Sequence, residues 1–363
     1  MQTEIIRIIE GALKNDPGKV LSYTKLYIDN LRKGGDNKTA DRLERAIGTH
    51  PQHAIFQDQL MNAPVDQESR LPVADVLLPD HPAPTLILSE AMHSTVDHFI
   101  NLTLHYTKLQ ELGVETNLSL LLCGAPGTGK TTVAHFIAHQ LQLPLVTARL
   151  DSIVSSLLGS TAKNLRRVFE FAGSRPCILL LDEFDAIGKA RDDQHELGEL
   201  KRVINSLLQN IDEYLAAGHI LIAATNHPEL LDKAIWRRFN TIISMDKPDD
   251  DILPELLRHY LHAMDNNILN DPKKFDILTQ SLNGLSYADV KTICHNAISK
   301  SVVSGQNRVI IEDLLTELYR FMNRNRVEKA TLAKFLEDNG ISKPSISQYL
   351  GVSYRQANNL LKK

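Results

Sequence analysis

The segment Gly124-Ala125-Pro126-Gly127-Thr128-Gly129-Lys130-Thr131 has the spacing GxxxxGK[ST], and a second threonine, Thr132, follows it. Glycines at these positions let successive backbone N–H groups curl around phosphate oxygens, at the positive end of the next helix. Lys130 is then placed for the terminal phosphates and the Thr131 hydroxyl for a magnesium ion. The chemistry expected of residues 124–132 is the binding of ATP with Mg2+.

About fifty residues on, "CILLLDEFDAIG" ends an apolar run in two carboxylates. Asp182 is expected in the magnesium shell, and Glu183 beside the water that attacks the γ-phosphate. Asn226, at the end of "LIAATN", could orient the same water, although a turn former is the commoner use of such an asparagine. Arg237 and Arg238 stand together in "LDKAIWRRFNTIISM". Paired arginines are usually surface charge; the alternative is that they reach a neighbouring subunit's γ-phosphate.

The elements that must carry these residues follow from periodicity. Apolar runs at "NLSLLLC", "LPLVTA", "PCILLLD", "HILIAAT" and "TIISM" alternate with helical segments. Strands this apolar imply a parallel sheet covered on both faces, an α/β fold. After Pro248 the chain reads as helical. Before the sheet, Ile5, Ile6, Ile9, Ala12 and Leu13 recur at helical spacing, as do Val20, Tyr23, Tyr27 and Leu31, and a third helix is expected over Thr39 to Ile47. Pro64, Pro72, Pro79, Pro82 and Pro84 mark a linker. The layout expected is a helical docking domain at 1–60, a linker at 61–85, an α/β nucleotide domain at 86–247, a helical lid at 248–324 and a tail at 325–363.

The order of phosphate loop, acidic strand, "ATN" and paired arginines resembles the AAA subset of AAA+ ATPases over residues of about 86 to 322. "LDKAIWRRF" is similar to the version in katanin and spastin. "LNGLSYADVKTICHNAI" resembles the family's lid segment, through Gly284, Ser286, Ala288 and Asp289, with Tyr287 where a small residue is usual. The resemblance implies a P-loop sheet with a small helical lid, a homo-oligomeric ring that is usually a hexamer, and ATP between subunits. It places Glu183, Asn226, Arg237 and Arg238 in catalysis and puts Asp212 and Arg202 near the subunit interface. Trp236 reads as interface packing. The N-terminal helices lie where such proteins carry adaptor or substrate-docking domains, in an organisation similar to prokaryotic members that serve a separately encoded effector such as a protease.

In that family an aromatic, an apolar residue and a glycine line the pore and move polypeptide. Leu157-Leu158-Gly159 stands there instead, without the flat ring. The tail offers another target. "ISKPSISQYLGVSYRQANNLLKK" has helix-turn-helix spacing, with Gly351 at the turn and Ser353, Tyr354, Arg355, Gln356, Asn358 and Asn359 displayed. From Arg320 to Lys363 there are nine Lys/Arg against three Asp/Glu, which makes residues 327–363 a candidate DNA contact. Three readings stand together: an ATPase that remodels or regulates a partner protein, a DNA-associated ATPase, and an ATP-gated assembly scaffold.

The remaining features exclude more than they assign. A net charge of -4 gives no global basic field. Cys123, Cys177 and Cys294 form no CxxC pair, which fits a reducing, cytoplasmic setting and offers no zinc ribbon. "HELGE" at His195 lacks the second histidine of a zinc-protease motif. His135 and His139, four apart on one helix, read as a solvated face. No run approaches the length of a membrane span, and the N-terminus lacks a secretory pattern.

Overall fold

The computed structural model describes residues 83–150, 158–186 and 197–362 without a break. Before them it describes 36–48, Pro64, 72–79 and scattered positions between 5 and 32. The chain divides into two compact units, Met1–Leu78 and Pro79–Lys363. In the first, helix α1 (Asn37–Gly48) starts where the Asp36 carboxylate accepts the Thr39 N–H at 3.1 Å. Ala40 on that helix is buried with Ile28 and Leu31, and Tyr27 and Leu43 pack against them. A short strand, β1, spans Asp75–Leu77.

The second unit is built on parallel strands. After α2 (Glu90–Leu104) and α3 (Tyr106–Glu111) come β2 (Ser119–Cys123), α4 (Lys130–Leu141), β3 (Leu145–Arg149), α5 (Leu158–Gly173), β4 (Ile178–Asp182), α6 (Leu197–Ala216), β5 (Ile220–Thr225), α7 (Lys233–Trp236) and β6 (Thr241–Ser244). The strands lie in the order β3-β4-β5-β2-β6 and pair in parallel. Every residue of β2 and β5 is buried, as strands covered on both faces must be. The register sets Cys123 beside Thr225 and Leu181 beside Ala223. The carboxyl ends of β2, β4 and β5 therefore open on one edge of the sheet, where such folds bind ligands.

Next comes a helical subdomain of α8 (Ile252–Leu261), α9 (Pro272–Leu282), α10 (Tyr287–Val303) and α11 (Ile311–Met322). A two-residue parallel ladder pairs β7 (Asp265–Asn266), which follows α8, with β8 (Arg308–Val309), which precedes α11. The chain finishes in α12 (Lys329–Asp338), α13 (Lys343–Tyr349) and α14 (Tyr354–Leu360).

These last helices, expected as an appended module, do not enclose a core of their own. Leu332, Ala333, Leu336, Ile341 and Ile346 belong to one buried cluster with Leu278, Leu282, Leu314 and Leu318 of the lid. Polar ties run along the same seam: the Ser281 hydroxyl donates to Asn339 Oδ1 at 2.7 Å, and the Tyr319 hydroxyl to Thr331 Oγ1 at 2.8 Å. Three short helices bury too little apolar surface to stand alone, so they complete the lid instead.

His195 and Leu157 lie outside the described residues, while Leu158 and Gly159 open α5. Among the described residues no helix is long and apolar enough to cross a membrane.

Candidate functional site

The phosphate loop is held in shape from behind. Gly124 donates its N–H to Thr225 O at 3.2 Å, and Met245 donates to Cys123 O at 2.7 Å. A Cβ on Gly124 would stand 2.2 Å from the Met245 carbonyl oxygen, so no larger residue fits there. The Thr128 hydroxyl donates to Ala125 O at 2.9 Å and closes the loop on itself. Gly129, at φ 97, caps α4, a left-handed position that favours glycine. Lys130 is buried and donates to the carbonyls of Gly124 and Ala125 at 2.7 and 2.9 Å. Burial lowers its pKa against the opposing pull of Asp182 and Asp185. A cation so desolvated gains from an anionic ligand.

Opposite the loop stands the acidic end of β4. The Thr131 hydroxyl donates to Asp182 Oδ2 at 3.3 Å, which brings a hydroxyl and a carboxylate oxygen together. Glu183 takes φ +55, a conformation that costs a residue with a Cβ about 1–2 kcal/mol. Such strain persists where surrounding structure enforces it, and it clusters at active sites. Here the Glu183 N–H donates to Asp182 Oδ1 at 2.9 Å, and the next N–H, that of Phe184, to Ala224 O at 2.9 Å.

Asp185 was not singled out in the sequence, yet it is 2% exposed and accepts from Thr225 Oγ1 at 3.2 Å and the Asn226 N–H at 3.0 Å. It fixes the turn that aims Asn226 into the site. Its signal was the third acid of "DEFD", which a helix-capping role would explain equally well.

Pro126, Gly127, Gly129, Lys130, Thr131 and Thr132 line one cleft of about 680 Å³ with Asp182, Glu183 and Asn226. Gly124, Ala125 and Thr128 support it from below. The far wall comes from Pro84 and Thr85 ahead of α2 and from His259, Tyr260, Tyr287, Ala288 and Lys291 of the lid, of which only Tyr287 had been connected with nucleotide contact. Burial, with Asp249 and Asp246 nearby, pushes the Tyr287 phenol up to about 12. His135, expected on a solvated face, also lines this cleft, and His139 is half-buried. The helical period is right, but α4 is covered on more sides than its sequence indicates. Among the described residues no group of three or more His, Cys, Asp or Glu could hold a metal ion.

The lid touches the loop directly. Ala288 donates its N–H to Gly127 O at 3.1 Å, and a Cβ on Gly127 would lie 2.6 Å from Ser286 Oγ. Ser286 and Asp289 form a capping box at the start of α10, which gives the "SYAD" segment its local logic. Tyr287 occupies the position between them, so its side chain is free to face the cleft.

Arg237 and Arg238 sit elsewhere. The Ser119 hydroxyl, at the amino end of β2, donates to Arg238 O at 2.9 Å. The phosphate loop leaves the carboxyl end of the same strand, roughly 13 Å away at ~3.3 Å per residue. The two arginines line a second cleft of about 930 Å³ with Asp212 and Asn240. Trp236 donates its indole N–H to Leu231 O at 3.2 Å within its own chain, and Arg202 is exposed on α6.

Comparison with known proteins agrees with this geometry. Residues 120–247 match the family described as "ATPase family associated with various cellular activities (AAA)". An uncharacterized AAA family ATPase of Sinorhizobium fredii, y4kL, is 34% identical over 316 residues, covering 85% of this chain and 92% of that protein. A proteasome-activating nucleotidase of Sulfurisphaera tokodaii is 33% identical over 230 residues, 61% of this chain and 57% of that one. An ATP-dependent zinc metalloprotease FtsH of Clostridium perfringens is 36% identical over 217 residues, 58% of this chain and 30% of that one.

Proposed function

Because the chain belongs to the AAA family of ATPases, we propose that it works as a homo-oligomeric ring that hydrolyses ATP between subunits to remodel or regulate a partner protein. ATP binding and hydrolysis come with the family. The rest is a reading, and the observation that carries it is the position of Arg237 and Arg238. They lie at the opposite end of β2 from the phosphate loop of their own chain, which supports their serving another subunit's nucleotide rather than their own.

Each residue then has a task. The backbone N–H groups of residues 124–132 hold the phosphates, with Lys130 turning from the carbonyls of Gly124 and Ala125 toward the anion. Thr131 and Asp182 offer the oxygen ligands that Mg2+ prefers, and the ion, when bound, would offset charge on the phosphates. Glu183 polarises the attacking water, and Asn226, fixed by Asp185, orients it. The partner subunit's arginines steady charge on the transferred phosphoryl group.

That the target is a protein draws on the relatives. One is named for activating the proteasome and another for proteolysis. This chain spans about half of the first and under a third of the second, so their particular targets do not carry over to it.

The test is a mixing experiment. Glu183→Gln and Arg237→Ala chains should each be inactive alone. Mixed in equal amounts, they create some interfaces with an intact Glu183 on one side and an intact Arg237 on the other, and hydrolysis should return. Co-assembly without any recovery would overturn the shared site.

A further inference from the structure

The ATPase reading leaves the α13–α14 hairpin of helices without a task, and its surface is unlike the rest of the chain. Gly351, at φ +65 with open space around it, turns the chain between the two helices. The Ser347 hydroxyl donates to Val352 O at 2.7 Å and ties that turn to α13. Ile346 and Ala357 are both fully buried, and α14 packs on α12 as well as α13. This is the arrangement in which a first helix braces a second that projects outward.

The structure narrows which side chains of α14 are available. Ser353 and Gln356 are engaged with each other in the capping box that starts the helix, with Gln356 Oε1 accepting the Ser353 N–H at 2.9 Å. Asn358 is half-buried. Arg355 and Asn359 remain exposed, one turn apart on the face away from Ala357. Among the described residues, neither Arg355 nor the exposed Lys362 beyond it has an ion-pair partner. Residues 341–363 contain four Lys/Arg and no Asp or Glu. The acids at the end of α12 are answered locally: Lys334 bridges Glu337 and Asp338, and Lys343 bridges Glu337.

We propose that α14 reads double-stranded DNA, with Arg355 and Asn359 meeting base edges in the major groove. Arginine pairs bidentately with guanine and asparagine with adenine, and the spacing of one helical turn places the two along a single groove. A polar, acid-free, cationic face complements a polyanion. A helix that docks a protein groove presents apolar anchors at helical spacing, whereas Tyr354 is the one large hydrophobic residue exposed on α14.

The experiment uses the full chain and a fluorescently labelled pool of short randomised DNA duplexes, read by anisotropy and by sequencing of the bound fraction. Wild type should bind the pool, weaken steeply between about 50 and 200 mM salt, and enrich a defined sequence. Arg355→Ala with Asn359→Ala should lose at least roughly tenfold in affinity for that sequence. Its ATPase rate and unfolding temperature should match wild type. No binding by wild type at low salt would overturn the proposal, as would equal binding by the variant. So would displacement of a co-purifying protein by these substitutions with DNA binding intact.

Discussion

Arg238 is clasped by both oxygens of Asp212, Nε to Oδ1 at 2.7 Å and Nη2 to Oδ2 at 2.8 Å, and its Nη1 donates to Ala234 O. Among the described residues its neighbour Arg237 has no such partner. The two arginines are adjacent in sequence and share a cleft, yet one is fastened to its own chain and the other is available.

The difference predicts unequal effects. Arg237→Ala should lower kcat about a thousandfold, the usual worth of an arginine supplied in trans. Asp212→Asn should cost a few-fold at most, since a pair this exposed contributes about 1 kcal/mol or less. Steady-state hydrolysis by the two variants settles it; an Arg237→Ala enzyme near wild-type rate would remove Arg237 from the site.

Glu183→Gln should separate binding from hydrolysis. The amide keeps the shape but loses the base, so kcat should fall by ~10²–10⁴ with little change in ATP affinity. Because residue 183 stands at φ +55, Glu183→Gly should also be inactive but no less stable than wild type. Calorimetry and nucleotide titration check both, and a marked loss of stability in the glycine variant would contradict the backbone reading.

Leu336→Ala tests whether lid and tail are one body. Leu336 is fully buried in their shared cluster, so its truncation should cost about 2–5 kcal/mol. Amide exchange should accelerate in α9 and α11 together with α12–α14. Loosening confined to the last three helices would argue for a separate tail. Cutting the chain after Asn325 would strip this core, so point substitutions are the better probe of α14.

The cysteines carry a pH prediction. Burial pushes Cys123 and Cys177 up to about 11 and Cys294 to about 12. The folded thiols stay protonated above pH 9, where unfolded thiols ionise. Unfolding then releases protons, so stability contributed by these groups is complete below the unfolded value and lost as pH climbs through the folded ones. At pH 8 a thiol reagent should find no rapidly reacting cysteine in the native protein, and all three after denaturation.

The sequence was most legible where chemistry is local. The glycine spacing of the phosphate loop, the carboxylates ending β4 and the asparagine ending β5 each declare themselves within a dozen residues. The parallel sheet is written in the uninterrupted apolar runs. What escaped notice depends on distance along the chain. Asp185 matters because Thr225 and Asn226 come to it from forty residues away. Asp212 was placed near the interface, but nothing local to it names Arg238 as its partner. Gly124 is irreplaceable because of the Met245 carbonyl. Leu332, Leu336 and Ile346 have a helical period that would serve a private core as well as a shared one.

The contact between Ala288 and Gly127 acquires a mechanical meaning once the lid and the last helices are one body. Gly127 is the point at which the phosphate loop meets the lid, and α10 begins at that contact. Any tilt of α10 about that contact would carry α11 to α14 with it, because they share one core. The fold thus ties the end of the chain, through one continuous core, to the helix that touches the phosphate loop.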